Sequence, residues 1–485
     1  MRISEIYNLH LTQPYLDFLD IDINTDLLVF VDPTALRNLQ SPWGHDCAAL
    51  VQNYFETVLD RIKNGKHDEA KRLLTGLNET NEFHLGYSKN RSRGHGFGPH
   101  SAGLVWDALF KSQASVSGLL QDLEDTALMI EGIGKDMISD AVCNIIKAPL
   151  IKYTQDMCNY YGIPLVPNVS SGPIWNIEKE NWENHFVDLP LANGEKLILI
   201  PKIIVRRNIA YDYQDYYQHY LLPTMQQEEI VKNSSLVRYL RDGTPKVTKK
   251  DLKEKYGGDK LSVVNETLKR PEILEKYREA KVSNPSDPLK HENLSDIEGH
   301  EFELPNWDDL IKELKSIPVG KEHAGIYEKI IEKIFSALFY PNLVSPIKQH
   351  PIHDGRKRID ITYANESKFG FFQWLSMHYP SAFIFIECKN YGKEIGNPEI
   401  DQLSGRFSPS RGKVGILVCR SVEDAERLKN RCIDTAKDDR GYIISLTDDD
   451  IEQLIANYIK EGALNRKLSF KYSLLQKKFS VLINS

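Results

Sequence analysis

The sequence predicts an α/β protein of several domains: a C-terminal αβββαβ core, a mixed α+β N-terminal domain, and a helical charged middle segment between them. Three observations lead there. At 485 residues the chain exceeds what one hydrophobic core organises, so about two to four domains are expected. Beyond residue 304, short apolar runs alternate with stretches of helical periodicity, the pattern of strands joined by helices. One of those runs, Phe383-Ile384-Phe385-Ile386, passes straight into Glu387-Cys388-Lys389. An uninterrupted apolar run reads as a strand buried on both faces, and ending it in a carboxylate and an ammonium requires polar partners for both.

Composition narrows the class. Hydrophobic residues make up 41% and charged residues 27%, as in ordinary soluble globular proteins. A net charge of −7 and a pI near 6.1 exclude a global basic field, so nucleic-acid binding needs a local patch. The six cysteines (Cys47, Cys143, Cys158, Cys388, Cys419, Cys432) are scattered without a CxxC pair. That argues against a zinc ribbon or a disulfide scaffold and for a reducing compartment. No signal-peptide core opens the chain, and no run approaches about 18 apolar residues. A soluble, cytoplasmic protein with no membrane partner is expected.

Residues 1–221 read as the mixed α+β N-terminal domain, for sensing, scaffolding or partner docking. Asp26 to Val31 is a strand signal stopped by Asp32-Pro33, and Asp46 to Ile62 has helical spacing. A glycine-rich basic stretch, Gly86 to Gly98 with Lys89, Arg91 and Arg93, precedes an expected helix from Ser101 to Ser112. Further helices are predicted over 115–130 and 135–161, and Leu197–Val205 reads as a strand pair or as a strand with an edge break at Pro201. Residues 222–285 form the charged helical segment; Lys246 to Lys281 holds 11 Lys/Arg against 7 Asp/Glu. Residues 286–303, poor in apolar side chains, read as a linker.

The last domain is expected over 304–485. Ala324 to Tyr340 is amphipathic with Pro341 past its end; Leu343–Ile347 is a weak strand; Arg358–Tyr363 alternates as a half-buried strand. Residues 366–379 predict an aromatic helical insertion that shapes substrate access. After the strand ending at Lys389, Asn397-Pro398 starts a helix carrying Gln402 and Arg406. A core strand Val414–Cys419, a helix 421–435, a strand 441–446 and a helix 448–460 follow.

The chemistry gathers in this domain. Glu387 and Lys389 lie two apart and so share a strand face. Asp360 lies on the preceding strand and Glu328 on the helix before both. Carboxylates from neighbouring strand ends suit a hard divalent cation such as Mg²⁺, with the backbone carbonyl of Cys388 as a further oxygen. A lysine beside it would orient or help deprotonate a water and stabilise charge on a phosphate. Together this is equipment for metal-assisted phosphodiester hydrolysis.

Asp360…Glu387-Cys388-Lys389, preceded by a glutamate-bearing helix, resembles the PD-(D/E)XK signature of the restriction-endonuclease-like nuclease superfamily. The resemblance covers about residues 320–460 and implies a restriction-endonuclease-like αβββαβ core. It implies that Asp360, Glu387 and Lys389 are catalytic, with Mg²⁺ as cofactor, Mn²⁺ as its substitute, and a 5′-phosphate product. Glu328 corresponds by position to the family's first-helix glutamate near the metal, with Glu332 one turn on as the alternative and a solvent-side lysine partner as the plainer role of either, and Gln402 to a glutamine found one helix after the lysine. Ile359 stands where the nominal proline precedes the aspartate, a loose position in the family. Arg406 and Arg411 are candidate phosphate contacts, with solvation as the plainer role.

Other features rank lower. His350 and His353 bracket Pro351 in a spacing poor for a metal clamp. The 86–98 loop matches no Walker or dinucleotide fingerprint and reads as a mobile basic loop, with nucleic-acid contact as its functional alternative. Asp17, Asp20, Asp22, Asp26 and Asp32 fit no EF-hand spacing and are expected at turns and the surface. The tyrosines between Tyr211 and Tyr217 are expected to pack between domains. The leading expectation is a Mg²⁺-dependent endonuclease acting on DNA as the effector of a bacterial anti-phage defence system, homo-oligomeric and served by a partner such as an ATPase. The alternatives are an RNA- or tRNA-cleaving enzyme of the same fold and a catalytically silent nucleic-acid-binding or assembly subunit.

Overall fold

The computed structural model describes residues 1–77, 82–86, 107–298, 304–352, 357–391, 394–463 and 472–485. The chain is mixed α/β and divides into two units. One comprises Met1–Ile6, Ile21–Gln155 and Pro164–Leu289; the other comprises Tyr7–Asp20, Asp156–Ile163 and Lys290–Ser485. Among the described residues no helix is long and apolar enough to cross a membrane. All six cysteines are unpaired.

The first unit is built on α1 (Pro42–Lys63), which starts four residues earlier than its periodicity indicates because Ser41 caps it and Pro42 occupies the first helical position. Val51, Tyr54, Phe55, Val58, Leu59 and Ile62 form its buried face. The helix expected over 135–161 is two helices, α2 (Lys135–Ile145) and α3 (Lys147–Tyr161). Pro149 explains the break, because its ring lacks an N–H and collides with the carbonyl four residues back, that of Ile145. The 115–130 helix is likewise divided into Gln113–Ser117 and Asp125–Met129, the first ending at Gly118 with φ +85°.

No strand is described over Leu197–Ile204: Pro201 makes an isolated bridge and opens a 3-10 turn at Lys202–Ile204, and Val205–Arg206 pairs with Phe30–Val31. Of the Asp26–Val31 signal, only Phe30–Val31 is strand. A hairpin that the sequence reading passed over, β1 (Val166–Asn176) and β2 (Asn181–Leu189), docks on α1 through tryptophans. Trp175 and Trp182 pack edge-on and tilted against Tyr54 at 5.0 and 5.4 Å, and each indole N–H finds an oxygen.

The segment 222–285 contains α4 (Leu222–Val231), a hairpin of β3 (Arg238–Tyr239) and β4 (Pro245–Lys246), and the helices α5 (Lys249–Tyr256), α6 (Lys260–Leu268) and α7 (Pro271–Ser283). Tyr211, Tyr216 and Tyr220 surround Tyr277 of α7 at 4.9 to 5.4 Å. The tyrosine cluster is therefore core packing within one unit rather than between domains.

The second unit holds a five-stranded sheet. Helix α8 (Ala324–Phe339) leads into β5 (Leu343–Ile352), β6 (Lys357–Asn365), α9 (Gly370–His378), β7 (Phe383–Lys389), α10 (Asn397–Ser404), β8 (Val414–Cys419), α11 (Ala425–Lys437), β9 (Tyr442–Thr447), α12 (Asp448–Ala463) and α13 (Ser473–Asn484). Strand order is β9-β8-β7-β6-β5, antiparallel through β5, β6 and β7 and parallel through β7, β8 and β9. Interior strand β8 is buried at all six residues. A bulge opens opposite Thr362–Ala364 at Ser345, whose φ is +50°, and the freed N–H donates to Asp17 at 2.9 Å.

Two expectations change here. Asp17, Asp20 and Asp32 are buried rather than at the surface, Asp32 capping the helix Pro33–Arg37 through Thr34 N–H at 3.1 Å. The aromatic insertion α9 lies between the end of β6 and the start of β7, at the opposite end of these strands from Glu387 and Lys389. Phe371, Phe372 and Leu375 are core, packed with Phe339, Tyr472 and Phe479. The insertion stabilises the sheet and does not border the candidate site.

Candidate active site

The β6–β7 register brings the carboxylates together. Ile361 pairs with Ile386, so one step along the antiparallel ladder sets Asp360 beside Glu387, with side chains on the same face. Asp360 Oδ2 accepts the Cys388 N–H at 2.8 Å, and no described residue engages Oδ1. Glu387 is almost wholly buried, at 1% exposure, and carries two cations. Lys389 Nζ donates to its Oε1 at 2.7 Å, and the Arg406 guanidinium donates to its Oε2.

Helix α10 comes down on that face because β8 offers no side chain where it crosses. A Cβ on Gly415 would lie 3.0 Å from Phe407 and 3.1 Å from Leu403. Phe407 stacks on Phe385 of β7 with ring centroids 5.7 Å apart. This close approach carries Gln402 to Lys389, whose Nζ donates to Oε1 at 3.3 Å, and carries Arg406 to Glu387. Arg411 donates to the Arg406 carbonyl at 3.3 Å, so it braces that arginine.

Asp360, Glu387, Lys389 and Gln402 thus converge. Glu328, half-buried on α8, stands apart: among the described residues no hydrogen bond or ion pair joins it to Asp360 or Glu387. It senses them electrostatically. Burial first, and the nearby Asp360 second, push its carboxyl up to about 7. Burial and then Glu387 push Asp360 up to about 6. Burial opposes the charge on Lys389, but the Glu387 carboxylate outweighs it and raises the ammonium above its ordinary range. Burial holds the Cys388 thiol well up, so its carbonyl rather than its sulfur is the candidate ligand for a hard cation.

The sequence reading missed Lys348. It extends from β5, is ion-paired with Glu332 one turn beyond Glu328, and moderates the Glu328 carboxyl. A period-2 continuation of the weak Leu343–Ile347 strand was its only signal. Arg406 was legible as a cation near the site, but not its grip on Glu387. His353, and the side chain of His350, lie outside the described residues, as do residues 87–98 of the basic loop.

A hard dication takes one or two carboxylates and keeps several waters, so Asp360 and Glu387 form a fitting donor pair for Mg²⁺. Among the described residues no three His, Cys, Asp or Glu side chains are gathered as a metal cage. Burial first, and neighbouring negative charge second, raise the Asp360 and Glu328 carboxyls, and a cation would oppose both. In both groups the folded state retains a proton that the unfolded state has released, so stability falls as pH rises from about 4 to about 7. Added Mg²⁺ is therefore expected to raise the melting temperature more at pH 8 than at pH 6, as scanning fluorimetry would read; an equal gain at both would contradict the coupling.

The family described as Domain of unknown function (DUF8370) matches residues 8–212, a stretch that ends well before Glu328. No curated protein matches the chain, and no solved structure does.

Proposed function

We propose that the chain is a metal-dependent endonuclease that hydrolyses nucleic-acid phosphodiester bonds, DNA before RNA, through a restriction-endonuclease-like core. The observation that carries this reading is the opposition of Asp360 and Glu387 across one register step, with Lys389 on the same face and Gln402 within its reach. The helix–three strands–helix–strand order, with α9 as an insertion, supports it further.

Asp360, Glu387 and the Cys388 carbonyl would hold Mg²⁺ or Mn²⁺, with Glu328 serving its outer waters. Bound there, the ion supplies Lewis acidity toward the phosphate and a water of lowered pKa. Lys389, kept protonated by Glu387, donates hydrogen bonds; it orients the attacking water and offsets charge on the phosphate rather than removing a proton. Gln402 fixes the ammonium through Oε1, and Arg406 fixes the Glu387 carboxylate from the other side.

The second reading, a silent nucleic-acid-binding or assembly subunit, is favoured by one observation: both Glu387 oxygens are already held by cations. Arg406→Gln separates the two. In an enzyme, removing a competing cation is expected to tighten Mn²⁺ binding severalfold by electron paramagnetic resonance while cleavage falls. In a silent module, neither parent nor variant binds Mn²⁺ at this site, and only stability drops.

A further inference from the structure

In the first unit, every residue from Arg238 to Lys246 is exposed, forming a projecting β3–β4 hairpin. Its turn is closed by Leu240 N–H to Thr244 O and Gly243 N–H to Leu240 O, both at 2.9 Å, with Gly243 at φ +83°. The hairpin breaks several rules of stability in one direction. Arg238 and Lys246 are direct cross-strand neighbours, where like charges repel. Lys249 and Lys250 occupy the first turn of α5, against the helix dipole. Tyr239 and Leu240 stand 65% and 46% exposed beside these charges.

The acidic groups nearby offset this field only in part. Asp242 turns back to the Thr244 N–H at 3.0 Å; Asp251 meets Arg238 at 2.9 Å; Glu254 lies 3.8 Å from Lys250. Among the described residues Arg241 and Lys246 make no ion pair. Pro245 removes a donor from the strand edge, which disfavours docking of another strand. Clustered cations around an exposed aromatic ring match a polyanion with stackable faces.

We propose that the Arg238–Lys246 hairpin, with the first turn of α5, is a nucleic-acid-binding wing. Arg238, Arg241, Lys246 and Lys250 meet backbone phosphates, and Tyr239 lies against a base. The assignment rests on this charge pattern and not on the chemistry at Asp360 and Glu387, so the two readings fail separately. The test uses the full chain carrying Lys389→Ala, with fluorescence anisotropy on labelled duplex DNA, single-stranded DNA and RNA across a salt series. Combined Arg238→Ala, Arg241→Ala and Lys246→Ala is expected to weaken binding at least about tenfold and to reduce the log–log salt slope by about 2 to 3. Tyr239→Ala alone is expected to cost about tenfold on the single strands. Unchanged affinity and slope in the triple variant, or no binding by the parent, would overturn the proposal. So would displacement by polyglutamate as efficient, charge for charge, as by nucleic acid.

Discussion

Lys389→Ala is expected to reduce nucleic-acid cleavage by at least about 10²- to 10³-fold, the usual consequence of deleting one preorganised electrostatic stabiliser. The reason lies in what surrounds the ammonium. It is anchored by Glu387 at 2.7 Å and Gln402 at 3.3 Å, so it meets the substrate already oriented. Alanine removes the donor and leaves Glu387 with Arg406 alone. Substrate affinity is expected to survive, because one lysine contributes little to the total phosphate contact. Single-turnover cleavage and equilibrium binding on the same preparations check both halves. Loss of binding together with cleavage would assign Lys389 to substrate recognition instead.

The second large effect concerns the first unit and stability. Arg278→Met is expected to destabilise it by about 3–5 kcal/mol, the cost of leaving a buried charge without its partner. Asp125 is fully buried and holds Arg278 through both carboxylate oxygens, at 3.2 and 2.5 Å. Arg278 also caps the Leu119 carbonyl, tying α7 to the Gln113–Ser117 helix and its connection. Burial drives the Asp125 carboxyl upward, and Arg278 is foremost in opposing it, ahead of the Asp122 and Gln121 N–H groups. Without the arginine, the folded state gains from a proton on Asp125, so the variant is expected to be less stable at pH 8 than at pH 5. Adding Asp125→Asn is expected to recover part of the loss. Hydrogen exchange over residues 113–129 and 271–283 would read all three chains; equal protection in Arg278→Met and the parent would rule the argument out.

How much was legible in the sequence varied with how local the cause was. Four apolar residues running into Glu387-Cys388-Lys389 announced β7 because strand burial is written in adjacent positions. Asn397-Pro398 likewise announced α10, and the mixed α/β architecture with a C-terminal sheet followed. Pro149 also carried its message, and 135–161 would have divided correctly had its clash with Ile145 been weighed against the apolar periodicity. Other features have no local signature. Residues 7–20 and 156–163 join the second unit through contacts such as Asp17 to Ser345, more than 300 residues apart in the chain. The β1–β2 hairpin escaped because its strands are largely solvent-facing and lack clean alternation. Arg406 reaches Glu387 only because Gly415 lets α10 settle on the sheet, which no spacing rule encodes.

Carboxylates opposed across β6 and β7 are the centre of the functional reading, and one measurement addresses them most directly. The purified chain and its Asp360→Ala variant are incubated with supercoiled plasmid, linear duplex, single-stranded DNA and RNA, with Mg²⁺, Mn²⁺ or chelator. The account predicts cleavage of at least one DNA substrate by the parent with either metal, its disappearance on chelation, and none by the variant. Cleavage by Asp360→Ala at the parent's rate, or no cleavage of any substrate by the parent, would contradict it.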